Sequence, residues 1–260
     1  MSNVSFKADA RFGNPVWVVG KTVIIFVLSQ LVGGFLAGAA LIADGNSDSV
    51  KALDKNPGAE FLFIVLVEAL TVLLVALFLQ RRGWFFSKLR GLSLKNIGWG
   101  RRPHLSDIWA TLIGFLVFYS FLIVISVILS AIFPDLNKGS QDVGFNNLQG
   151  SIEKILAFVG LVFLPPLGEE TLVRGYLYTG LRQRLRFWPA VLITSILFGA
   201  AHLETGTTAA LLWAAGVNTF ILSVVLCYLR EKTNALYAGM MLHALNNAIA
   251  FGFHFHALMF

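Results

Sequence analysis

A chain of 260 residues that is 57% hydrophobic and only 13% charged is not an ordinary soluble domain, where charged residues make up roughly 25%. Its apolar residues fall in long runs, which predicts an all-α polytopic membrane protein of about seven spans (six to eight), a single membrane domain over 1–260 with no separate soluble unit. The net charge of +6 lies in short loops between those runs, which fits a protein embedded in a lipid bilayer and excludes nucleic acid as a partner.

Residues 1–16 are polar and carry Lys7 and Arg11. The first apolar run, 22–43, is longer than a signal-peptide core of about 7–15 residues and is expected to stay as a span. After a polar loop, a second span covers 61–79 and is closed by Arg81-Arg82. The connector 83–107 is basic, and its Trp84, Phe85, Phe86, Leu89 and Leu92 predict an interfacial amphipathic piece. The third span, 108–133, is uncharged, and the fourth begins near Ile152. The fifth, sixth and seventh are expected at 188–203, 209–229 and 234–253. With the amino terminus inside, the cytoplasmic segments 1–21, 81–107, 181–187 and 230–233 hold most of the Lys and Arg. The outer loops then hold only Lys51, Lys55, Lys138 and Lys154. That asymmetry predicts a multi-pass cell-membrane protein with a cytoplasmic amino terminus and a carboxyl terminus outside.

The fourth span contains Leu164-Pro165-Pro166-Leu167-Gly168-Glu169-Glu170-Thr171-Leu172-Val173-Arg174. A charged side chain at membrane depth costs about 2.5–3.5 kcal/mol on insertion scales and is usually functional or paired. Glu170 and Arg174, four apart, suit an intrahelical ion pair, which leaves Glu169 turned about 100° toward a cavity. Pro165-Pro166 should kink or restart the helix, placing Glu169 in a first turn where the dipole favours an anion. At a rise of about 1.5 Å per residue, Glu169, His202, His243 and Asn247 all fall roughly 15–21 Å deep. Polar groups from three helices at one height are expected to face one another. A carboxylate in such a place is a plausible general base.

These residues resemble the prenyl-protein (CAAX) type II and bacteriocin-processing intramembrane proteases. Glu169-Glu170-Thr171-Leu172-Val173-Arg174 matches that family's Glu-Glu-x-x-x-Arg motif. Phe198-Gly199-Ala200-Ala201-His202 matches its Phe-x-x-x-His, and His243-Ala244-Leu245-Asn246-Asn247 its His-x-x-x-Asn. The resemblance covers 150–253, which would be the catalytic core. It implies peptide-bond hydrolysis within the bilayer, on a membrane-associated peptide or protein with a prenylated Cys-a-a-X tail or a leader segment. Glu169 with His202 would hold and deprotonate water, His243 and Asn247 would stabilise the oxyanion, and Glu170 with Arg174 would support them. No cofactor is expected, since the His-Glu-x-x-His helix of zinc proteases is absent. Were zinc present, Glu169, His202 and His243 would be its ligands.

Other polar residues have plainer roles. Glu68 and Asn218, near mid-depth, are expected to pair in the interior or line the cavity, and Asn246 to pack or bridge helices. Glu204 reads as an outer-loop residue, His254 and His256 as interfacial anchors among phenylalanines, and Cys227 as packing. Two other classes fit an intramembrane carboxylate: a catalytically silent, immunity-type binding protein and a transporter with a proton relay. Filled motif positions count against the first, and the lack of inverted hydropathy repeats against the second.

Overall fold

The structure, a computed structural model, describes residues 12–43, 56–79, 94–134, 143–146, 148–203 and 213–259. It consists of α1 (Pro15–Ala43), α2 (Pro57–Leu79), a 3-10 turn (Leu94–Ile97) and α3 (Leu105–Ile132). A segmented helix follows: α4 (Ser151–Val162), α5 (Leu164–Glu170), a π-helical stretch (Thr171–Tyr178) and α6 (Thr179–Arg182). The chain ends with α7 (Phe187–Ala201), α8 (Trp213–Thr233) and α9 (Tyr237–Met259).

Local chemistry sets the helix starts. Asn14 Oδ1 accepts from Trp17 N at 2.9 Å at the head of α1, and Asn56 Oδ1 from Gly58 N at 3.0 Å at the head of α2. A reciprocal His104–Asp107 box opens α3. Each side chain satisfies an amide that the first turn leaves unbonded. Between the caps, apolar residues continue around each cylinder, as lipid requires. Leu31 and Phe35 of α1 and Leu116 and Val127 of α3 point outward. In a bilayer that surface costs nothing.

By length and apolarity, α1, α2, α3, the stretch Ser151–Arg182 and α8 can each cross a membrane. Helix α7 is apolar but has 15 residues, about 22 Å against a core of about 30 Å. Helix α9 has 23 residues, and its His243, Asn246, Asn247 and His254 lower its apolarity. The all-α polytopic membrane protein read from the sequence is the fold observed, with α1 and α3 starting a few residues earlier than the apolar runs suggest.

Helix α1 lies along α2, where Thr71 Oγ1 donates to Ser29 Oγ at 2.9 Å. Helix α8 packs against α3, α7 and α9, and α9 in turn reaches α4 and α5. The α7–α8 crossing depends on two glycines: a Cβ at Gly199 would stand 2.8 Å from the Gly216 carbonyl oxygen. Small residues allow such backbone approach in membranes. Gly199→Val is therefore expected to cost about 1–3 kcal/mol through overpacking. Thermal unfolding in detergent measures it, and an unchanged midpoint would contradict the crossing.

One sequence expectation lies outside the described residues and another changes. Trp84, Phe85, Phe86, Leu89 and Leu92 lie outside the described residues. In the described part of the connector, 94–107, most residues are exposed, but a few point inward. Ile97 is fully buried, Trp99 Nε1 donates to Thr171 Oγ1 at 3.2 Å, and the Gly98 carbonyl accepts from Leu236 N. This segment is tied to the motif helix by the Trp99 indole and to the α8–α9 turn by the Gly98 carbonyl. Pro165 and Pro166 do restart the helix, occupying the first turn of α5. Glu169 is then the sixth residue of that helix and not in its first turn, so the dipole effect at helix ends reaches it weakly.

Candidate active site

Beyond Glu170 the chain turns π-helical for eight residues, all of them buried. The wider turn shows in Thr179 Oγ1, which donates to the Arg174 carbonyl five residues back at 3.1 Å. Such π segments concentrate at functional sites. The uniform 3.6-residue period assumed from sequence therefore fails directly after the two glutamates. The Glu170–Arg174 pair survives it, with Arg174 Nη1 donating to Glu170 Oε1 at 2.9 Å and both side chains 1% exposed.

Glu170 has a second partner that the sequence did not reveal. His243 Nδ1 of α9 lies 3.1 Å from the same Oε1. A carboxylate can only accept, so Nδ1 carries the hydrogen and Nε2 is aimed the other way. The buried pair thus orients a histidine of a distant helix. Phe198 of α7, quoted above only as a motif letter, ties the same groups together. The Arg174 guanidinium sits 4.3 Å from its ring centroid, the His202 ring packs edge-on at 4.7 Å and the His243 ring lies at 6.0 Å. A desolvated cation over an aromatic face gains about 2 kcal/mol. Its contact with Arg174 could not be read from spacing, because it joins helices without a sequence relation.

The three groups expected to meet do meet. Glu169 Oε2 lies 3.8 Å from His243 Nε2 and 4.0 Å from His202 Nε2. His202 follows the last residue of α7, and its Nδ1 is 2.8 Å from the Phe198 carbonyl oxygen. That carbonyl too can only accept, so the His202 Nε2 is also turned toward Glu169. Glu169 Oε2 is buried and makes no hydrogen bond within the protein. The two gaps exceed hydrogen-bond length and suit one bridging water.

Glu169, His202, His243 and Asn247 line one cavity of about 700 Å³. Asn247 Nδ2 donates to the Leu161 carbonyl at 3.1 Å. One of its two amide hydrogens is therefore committed to α4, which holds the amide in place and leaves the second hydrogen for another acceptor. Asn246 lines the cavity and accepts from Tyr119 Oη of α3 at 3.2 Å, so it bridges helices as expected. Asn218 of α8 and His254 of α9 line the cavity as well. His254 is an exposed wall residue beside the exposed Phe253, while Phe251 and Phe255 are buried. The side chain of His256, and Glu204 altogether, lie outside the described residues. Cys227 is buried in the core, as expected of a packing thiol.

Two imidazole nitrogens and a carboxylate are zinc donors in kind. Ligands of a tetrahedral zinc with bonds of about 2.1 Å stand about 3.4 Å apart. The distances of 3.8 and 4.0 Å are more open than that. Among the described residues no group of three or more His, Cys, Asp or Glu side chains is close enough to cage a metal.

The fold and this site define a class, a helical multi-pass membrane protein with a polar cavity among apolar helices. Residues 151–249 match the family model described as "Type II CAAX prenyl endopeptidase Rce1-like". The resemblance drawn from the three motifs is thereby borne out, and the family's activity is that of a membrane endopeptidase, a hydrolase. Neither the comparison with curated proteins nor that with solved structures found a match.

Proposed function

We propose that the protein is an intramembrane endopeptidase that hydrolyses a peptide bond through a water activated by Glu169. The observation that carries this reading is the position of the Glu169 carboxylate between two histidine nitrogens whose other nitrogens are already bonded. Water placed there donates one hydrogen to Glu169 and the other to His202 Nε2. As its oxygen bonds to the carbonyl carbon, its proton passes to Glu169. His243, protonated on both nitrogens and held by Glu170, donates from Nε2 to the oxyanion, and Asn247 donates its second amide hydrogen. Collapse breaks the C–N bond, and the proton on Glu169 leaves with the amine. Segment 150–253 acts as the catalytic core, with the amino terminus cytoplasmic and the carboxyl terminus outside.

The substrate is a peptide held at the membrane, with a prenylated Cys-a-a-X tail or a leader segment as its two forms. The protein in proteoliposomes is expected to cut a farnesylated Cys-a-a-X reporter or an unprenylated leader peptide, and to keep doing so after dialysis against a chelator. Cleavage of neither reporter would count against the reading. Loss on chelation with recovery on added zinc would move Glu169, His202 and His243 to metal binding. Asn247→Ala is expected to slow cleavage about 10²–10³-fold, the loss seen when one oxyanion donor is removed elsewhere. The effect should fall on kcat, and a change in KM alone would assign Asn247 to ground-state binding.

A further inference from the structure

A second cavity, of about 250 Å³, lies among α1, α2, the π-helical stretch and α7. Glu169 and His202 line both cavities, so these two side chains form the partition between them. The walls of the smaller one are mostly apolar, but a polar strip crosses it: Thr22 and Gln30 from α1, Glu68 and Thr71 from α2. The hydroxyls are engaged within the protein, Thr22 with the Val18 carbonyl and Thr71 with Ser29. Glu68 and Gln30 are the other hydrogen-bonding groups on that strip, and among the described residues no Lys or Arg lines the cavity.

Gly168 explains how Glu68 comes to be there. A Cβ at Gly168 would overlap the Glu68 carboxylate and stand 3.2 Å from Glu68 Cα. The missing side chain lets α2 and α5 touch, and it sets the Glu68 carboxyl one residue from Glu169. A carboxyl within a membrane span needs hydrogen-bond partners in either protonation state. A space of this size has room for about eight waters at about 30 Å³ each, and Glu68, Gln30, Glu169 and His202 supply the polar contacts that buried water requires.

Each hydrolysis consumes one water, and a peptide seated in the larger cavity displaces the water already in it. We propose that the smaller cavity, with Glu68 as its polar anchor, stores the hydrolytic water and delivers it to Glu169 from the side opposite the peptide. The inference rests on the peptidase reading.

Two experiments test it. In proteoliposomes with the reporter that is cut, Glu68→Leu is expected to lower kcat at least about thirtyfold with KM within about twofold, and Glu68→Gln, which still binds water, to recover to within about threefold of wild type. Unchanged kcat in Glu68→Leu overturns the proposal. So does a raised KM with kcat kept, which would make the cavity a seat for an apolar chain of the substrate. Independently of activity, Gln30→Cys in a Cys227→Ser background is expected to react with a charged methanethiosulfonate faster than Leu31→Cys, which faces lipid. Equal rates overturn a wet cavity whatever the kinetics show. Wild-type cleavage by Glu169→Ala would instead remove the peptidase reading, leaving the labelling result to decide whether the cavity holds water.

Discussion

Glu169→Gln is expected to lower kcat/KM by about 10³–10⁴-fold while leaving the unfolding midpoint in detergent unchanged. The amide keeps the size of the carboxyl group but cannot take a proton from water. The fold should not notice the change, because Glu169 is 26% exposed and its Oε2 makes no hydrogen bond within the protein. His202→Ala should cost a comparable factor, since His202 holds the second hydrogen of the same water. The double variant should be little worse than either single one, because residues acting on one water do not contribute independently. Single-turnover kinetics on the cleaved reporter measure all three. Glutamine at 169 with wild-type turnover would end the water-activation mechanism, and fully multiplicative losses would separate the two residues.

The second large effect is on stability. Arg174→Leu is expected to cost about 3–5 kcal/mol, because it strands a buried carboxylate. Glu170 is then left in the helix core with His243 as its remaining partner. The pair Glu170→Gln with Arg174→Leu removes both charges and should recover most of that stability, since an absent ion pair costs less than a broken one. Activity should not return with it. His243 would have lost the carboxylate that orients its ring. Unfolding midpoints and kcat on wild type, Glu170→Gln, Arg174→Leu and the double variant separate the contributions. If Arg174→Leu unfolds at the wild-type midpoint, Glu170 does not depend on this arginine.

The pairing of Glu170 with Arg174 was readable because it is local. Four residues apart in acid-then-base order they share a helix face, and any turn close to helical brings them together. The convergence of Glu169, His202 and His243 was approached in a different way, through depth. Each span's length and orientation place a residue at a height in the bilayer, and height is a one-dimensional quantity that counting supplies. Counting leaves open the rotation of each helix about its axis. Rotation decides that His243 bonds to Glu170, that Asn247 spends one hydrogen on Leu161, and that Glu68 meets Gly168. The π-helical stretch also escaped, because the sequence pattern was read with one fixed period.

The amino-acid sequence by itself determined that this is a helical membrane protein, roughly where its helices run, and which buried polar residues need an explanation. Those follow from burial in lipid, which acts on each segment separately. Only the tertiary structure decided which histidine nitrogen faces Glu169, that Phe198 carries Arg174 on its ring, and that the site has two chambers. Those depend on how neighbouring helices rotate and cross, and close contacts such as Gly199 on Gly216 set that only when all the helices pack at once.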